Sequence, residues 1–190
     1  MRNRLDVKDS KHFLILVGLL ILLGICIQFG AAYILDLILN MMPKVSEEYD
    51  ETLSVLLQDD FRIMMTVFLI APVLEETVFR LLILRLGAKY IPFWIMNIIQ
   101  ALLFGIYHGN WVQGIYAFLL GMLLGYVLKS TGVIIASIIV HMTINITGIL
   151  MQRIPLFVEG TSPVIPVIAI ASIVIGGAIV WGFSEPKGKC

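Results

Sequence analysis

The chain is 190 residues long, a single-domain length, yet 59% of it is apolar and only 14% is Asp, Glu, Lys or Arg, against about 45–50% and about 25% in soluble domains. Together with a mean hydropathy of +0.99, this excludes a water-soluble globule, a disordered chain and a disulfide scaffold. The 13 basic and 13 acidic residues cancel, so there is no nucleic-acid footprint. The two cysteines, Cys26 and Cys190, suit neither a disulfide nor a thiolate metal site.

A bilayer core about 30 Å thick needs about 20 apolar residues per helix. Phe13–Leu35 meets this with one amide, Gln28, inside it. It is too long for a signal-peptide core and no small-residue cleavage site follows, so it reads as a retained span. Phe61–Leu84 qualifies only if Glu75, Glu76 and Arg80 are accepted within the membrane. Ile91–Tyr107, Trp111–Leu128, Val133–Met151 and Val164–Phe183 complete the series. None alternates with period two, so the predicted class is all-α: a polytopic membrane protein of about six transmembrane helices with a buried polar site on the middle ones. Gly121 and Gly125 on the fourth span, and Gly176, Gly177 and Gly182 on the last, read as close helix packing. No internal repeat or linker divides the chain. The expected organisation is 1–60 (tail, first span and acidic outer loop), 61–154 (core) and 155–190 (last span and tail). With the N-terminus inside, Arg2, Arg4, Lys8, Lys11, Arg85, Lys89, Lys129, Lys187 and Lys189 face the cytoplasm, and only Lys44, Arg62 and Arg153 face out. The positive-inside rule then predicts a multi-pass cell-membrane protein with both termini cytoplasmic.

A charged side chain at mid-bilayer costs about 2.5–3.5 kcal/mol on insertion scales, so three ionisable residues within Glu75–Arg80 demand an interior partner or a water-filled cavity. Glu76 and Arg80 are i,i+4, about 40° apart around an α-helix, and can pair; Glu75 lies about 140° from Arg80 and is left for other work. Pro72, one turn earlier, removes a backbone donor and predicts a kink just before Glu75. On the third span Asn97, Gln100, Phe104 and His108 form one stripe; on the fifth, Ser137, His141 and Asn145 form another. Each stripe either joins helices or lines a site. His141 and Asn145, one turn apart, are expected to act on one bound group. His12 reads as interfacial. At about 1.5 Å per residue, Glu75, His141 and Asn145 lie about 12–18 Å from the cytoplasmic ends of their spans, whereas His108 lies about 25 Å in. That mismatch requires a tilted or re-entrant third span, a bent second one, or a different boundary.

Glu75-Glu76-x-x-x-Arg80, Phe104-x-x-x-His108 and His141-x-x-x-Asn145 resemble, in order, the three motifs of the CAAX protease and bacteriocin-processing (CPBP, or Abi) family of intramembrane endopeptidases. The resemblance covers about residues 61–150. It implies a protease acting on a membrane-associated peptide or protein within the bilayer, with Glu75 activating water, His108 assisting, and His141 and Asn145 polarising the scissile carbonyl and stabilising the oxyanion. Glu76, Arg80 and Phe104 are then supports. Glu75, His108 and His141 are a candidate zinc set, with a metal-free mechanism on the same residues the other option. Two alternatives stand beside the protease: a non-catalytic immunity or binding module, and a proton-coupled transporter. The second is disfavoured because the polar groups cluster on three spans without an inverted repeat. Substrate identity and oligomeric state have no signature in the sequence.

Overall fold

The computed structural model describes residues 10–41, 54, 61–154 and 164–184. It is all-α, with no strand among the described residues. The helices fall where the apolar runs predict them: α1 (Ser10–Asn40), α2 (residues 61–85), α3 (Phe93–Tyr107), α4 (Trp111–Thr131), α5 (Ile134–Gln152) and α6 (Val164–Ser184). Four contain stretches long and apolar enough to cross a membrane: Phe13–Leu37, Trp111–Thr131, Ile134–Gln152 and Ile165–Gly182. The protein is thus a multi-pass membrane protein. Helix α3 is shorter, 15 residues or about 22 Å, and α2 carries the intramembrane charges. The acidic loop after α1 and the side chain of His12 lie outside the described residues.

Helix α1 packs on α5 and α6, α3 on α4, and α2 is held between α3 and α5. The main apolar core joins Leu20 and Leu23 of α1 to Leu120, Leu124 and Val127 of α4 and to Ala136, Val140 and Ile144 of α5. Tyr116 donates its hydroxyl to Gln28 Oε1 at 2.8 Å, which satisfies the lone amide of the first span. Gly121 and Gly125 act as expected, because a Cβ on Gly125 would collide with Asn97 Oδ1 and one on Gly121 would come within 3.0 Å of the Ala101 backbone. The last helix departs from expectation. Gly176 does lie against Cys26, but Gly177 and Gly182 face open space, so close packing does not explain them.

Helix α2 is where the chain departs most from regular α geometry. Pro72 does not break it: the residues at each junction keep helical dihedrals, as at Ile70 (φ −70, ψ −52) and Glu75 (φ −63, ψ −47). The helix widens instead. Thr66–Ile70 and Glu76–Arg85 form π turns on either side of a single α turn, Ala71–Glu75. A proline without an N–H cannot serve the i→i−4 ladder, and slipping the register by one residue lets the chain continue. The expected kink is therefore replaced by a π-widened helix.

Candidate active site

Three short pieces of chain converge in the middle of the bundle: the turn around Glu75 on α2, the end of α3, and the central turns of α5. Glu76 and Arg80 are fully buried, with Arg80 Nε 3.2 Å from Glu76 Oε2. This is the i,i+4 pair read from the sequence. Arg80 makes this contact as an ion pair out of hydrogen-bond alignment, and none of its three nitrogens donates a hydrogen bond to the protein. Its guanidinium instead lies over the Phe104 ring, 4.3 Å from the centroid, so the aromatic face takes up charge that no oxygen meets.

The other oxygen of Glu76 holds the histidine of α5. His141 Nδ1 is 2.9 Å from Glu76 Oε1. A carboxylate kept ionised beside Arg80 can only accept, so Nδ1 carries the hydrogen and donates it. The far edge of the ring, Nε2, then faces Glu75, with Oε2 at 3.6 Å. Glu75 is therefore not solitary, as the α-helical angle to Arg80 suggested; its nearest basic neighbour is His141. It is also the carboxylate of the pair that is reachable, its side chain 14% exposed where that of Glu76 is 0% exposed.

His108 arrives from the end of α3. Its N–H closes the last turn onto the Gly105 carbonyl at 3.2 Å. Gly109 follows at φ +71, a left-handed conformation that a glycine adopts without strain. Asn110 then caps α4 by accepting from the amides of Val112 and Gln113. The ring is fixed by Nδ1 donating to the Phe104 carbonyl at 2.8 Å. A carbonyl only accepts, so the neutral ring presents its lone pair at Nε2. The depth mismatch is resolved by packing: Phe79 meets Phe104 at 5.0 Å and Tyr107 at 5.7 Å between ring centroids. Glu75, one turn back from Phe79, is thereby brought to the end of α3 and into the electrostatic neighbourhood of both His108 and His141. Phe104 is the hub of this arrangement, with the rings of Phe79, His108 and His141 all edge-on to it.

The two polar stripes divide. Asn97 donates to the Met122 carbonyl and Gln100 to the Gly121 carbonyl, both about 2.9 Å, so the first half of the α3 stripe joins α3 to α4 while His108 alone reaches the site. Ser137 donates back to Ile134 in its own helix. His141 and Asn145, expected to face one ligand together, have different partners in the protein. Asn145 Nδ2 donates to the Val67 carbonyl of α2 at 3.0 Å. In the π register the Ala71 N–H bonds Thr66, and the next donor in that series, five residues beyond Val67, would be Pro72, which has none. Asn145 thus caps the carbonyl that Pro72 orphans. Neither Val67 nor Phe79 was singled out in the sequence. The signal available for Val67 was Pro72, read as a kink rather than as a carbonyl in need of a donor.

Glu75, His108 and His141 are not gathered as metal ligands. Among the described residues no three His, Cys, Asp or Glu side chains form a coordination set. The ring nitrogen His141 turns toward Glu76 is engaged, and so is the one His108 turns toward Phe104.

Comparison with curated proteins and with solved structures returns no match. Comparison with protein families returns one: residues 58–147 match the family described as Rce1-like, type II CAAX prenyl endopeptidase. The matched segment takes in α2, α3, α4 and most of α5, and so all three motifs. Residues 58–147 therefore carry a domain of the Rce1-like type II CAAX prenyl endopeptidase family, a family of membrane proteases and the one that the three motifs resemble.

Proposed function

We propose that the chain is an intramembrane endopeptidase that hydrolyses a peptide bond of a membrane-associated protein or peptide with a glutamate-activated water. The observation that carries this is the disposition of the two glutamates about His141. Glu76, neutralised by Arg80, fixes one ring nitrogen, and Glu75, reachable and 3.6 Å away, faces the other.

Peptide hydrolysis needs a base for water, a donor for the developing oxyanion and a proton for the leaving amine. Water held between Glu75 and the Nε2 lone pair of His108 loses a proton to Glu75 as its oxygen attacks the scissile carbonyl. Glu75 passes that proton to His141 Nε2. The imidazolium, anchored through Nδ1 on Glu76, delivers it to the amine nitrogen as the C–N bond breaks. Asn145 Nδ2 has two hydrogens; one caps Val67 and the second is free to meet the oxyanion. Glu76, Arg80 and Phe104 position His141 and touch no reacting atom. No step is routed through a metal, because the donor geometry does not assemble a site for one.

The matched family is described as a CAAX prenyl endopeptidase, so a prenylated C-terminal peptide is the first substrate class to assay. The broader test is a census of peptide N-termini in membranes of cells expressing the intact chain or Glu75→Gln at equal abundance. Termini present only with Glu75 are the expected result and name the cut site. Identical censuses from two folded proteins would overturn the protease reading in favour of a non-catalytic module.

A further inference from the structure

At the end of the bundle where α2 and α4 finish and α3 begins, a cleft of about 420 Å³ is lined by Leu84, Arg85, Ala88, Lys89, Phe93, Leu128, Lys129 and Gly132. It plays no part in the chemistry above. Arg85, Lys89 and Lys129 bring three positive charges to its rim, and no acidic residue lines it. Among the described residues no carboxylate pairs with any of the three. Lys129 is held instead by aromatic faces, its Nζ 4.4 Å from the ring centroids of both Phe93 and Trp94. The floor is apolar, built on the buried pair Leu84 and Leu128.

The surroundings fix the depth of the cleft. Trp94 stacks on Tyr126 at 6.0 Å between centroids, Tyr90 projects outward with 88% of its surface exposed, and Trp and Tyr gather at the boundary between hydrocarbon and headgroups. The cations stand at the same level, at the end of the bundle that the charge distribution of the sequence assigns to the cytoplasm. A water-filled surface offers cations no reason to ring an apolar floor. A lipid offers one, because a phosphodiester takes the charges while its acyl chains continue along the apolar flank.

We propose that this cleft binds the phosphate headgroup of an anionic phospholipid from the adjoining leaflet. Arg85 and Lys89 reach the phosphate from α2 and the loop after it, and Lys129, steadied by Phe93 and Trp94, reaches it from α4. The site is separate from the Glu75 cluster and is occupied whether or not the protein cleaves peptides.

The test uses the purified full chain in neutral detergent, titrated with phosphatidylglycerol or phosphatidylcholine and read by native mass spectrometry. Phosphatidylglycerol should bind in preference to phosphatidylcholine. The combined variant Arg85→Gln, Lys89→Gln, Lys129→Gln should bind it about a hundred-fold more weakly, the product of about five-fold per charge near a membrane surface. All three side chains are exposed, so the variant should fold; monodisperse elution and an unchanged melting temperature without lipid check this. Arg62→Gln with Arg153→Gln, at the opposite end of the bundle, should keep the preference. Equal phosphatidylglycerol binding by the triple variant would overturn the proposal. So would displacement of the lipid by inorganic phosphate but not by chloride at equal ionic strength, which would assign the cleft to a soluble phosphate compound.

Discussion

Replacing Glu76 by Gln removes one charge and leaves the shape intact. The amide oxygen that replaces the carboxylate can still accept from His141 Nδ1, so the ring keeps its orientation. Arg80 loses the carboxylate 3.2 Å from its Nε while remaining fully buried. Breaking a buried pair from one side costs about 3–5 kcal/mol, because the partner's charge is left uncompensated. The Phe104 face beneath the guanidinium, at 4.3 Å, is worth about 0.5–2 kcal/mol and survives, so the expected loss is near the lower bound, about 3 kcal/mol. Arg80→Met strands Glu76 instead and should lose a similar amount, tempered by the surviving bond to His141. The double variant Glu76→Gln, Arg80→Met strands neither charge. It should lose no more than either single change, a coupling of about 3 kcal/mol at the upper end of the range for contacting residues. Equilibrium unfolding in mixed micelles measures all four corners of the cycle. Losses that add to within about 0.5 kcal/mol would mean that the two residues do not act as a pair, and that His141 is anchored by something other than a neutralised Glu76.

Three further outcomes follow from particular contacts. Asn145→Ala leaves the Val67 carbonyl without a donor and should destabilise by about 1–3 kcal/mol; adding Pro72→Ala supplies the missing N–H and should recover most of that stability but none of the activity, and a rescue of cleavage would remove Asn145 from the chemistry. His108→Gln, at a half-buried helix end, should lower the rate of substrate cleavage by about 10²–10⁴-fold while thermal unfolding is little changed. Gly125→Ala should cost about 1–3 kcal/mol by forcing α4 away from Asn97. Gly177→Ala in α6, facing open space, should instead be neutral or gain up to about 1 kcal/mol of helix propensity, and thermal shift assays in detergent distinguish the two.

How much of this was legible in the sequence depends on whether the determining interaction is local. The helices were, because an apolar run of bilayer length has no other stable solution. The Glu76–Arg80 pair was, because both residues lie on one helix and their angular separation is fixed by its geometry. The partner of His141 was not. The i,i+4 relation to Asn145 says that the two share a face, but whether that face meets a carboxylate or a carbonyl depends on the rotation of α5 against α2. The same applies to the α3 stripe: Asn97, Gln100, Phe104 and His108 look alike as a pattern, yet the first two end on α4 carbonyls and only the last turns to Glu75. Pro72 lies between these cases. Its missing donor is a local fact, but a kink and a register slip both answer it, and only the packing of α2 between α3 and α5 selects the slip.

That slip links stability to chemistry. A straight α2 would carry its ladder intact and need nothing from α5 at Val67. By widening around Pro72, the helix leaves one carbonyl dependent on Asn145, while Glu76 one turn on from Pro72 holds His141. Two residues of one α5 face are thus tied to two points of α2, by hydrogen bonds of 3.0 and 2.9 Å, with Glu75 lying between those points in the chain. The position of the base relative to the histidine cannot drift without breaking a buried polar contact, which in an apolar surrounding costs more than it would in water. The irregular helix is therefore the element that preorganises the site. Pro72→Ala alone tests this: it restores a regular donor, should leave stability unchanged or raised, and should nonetheless slow cleavage, because α2 is then free to regain its α register and rotate Glu75 away from His141. Unimpaired cleavage by a stabilised Pro72→Ala protein would show that the base is positioned by something other than the widened turn.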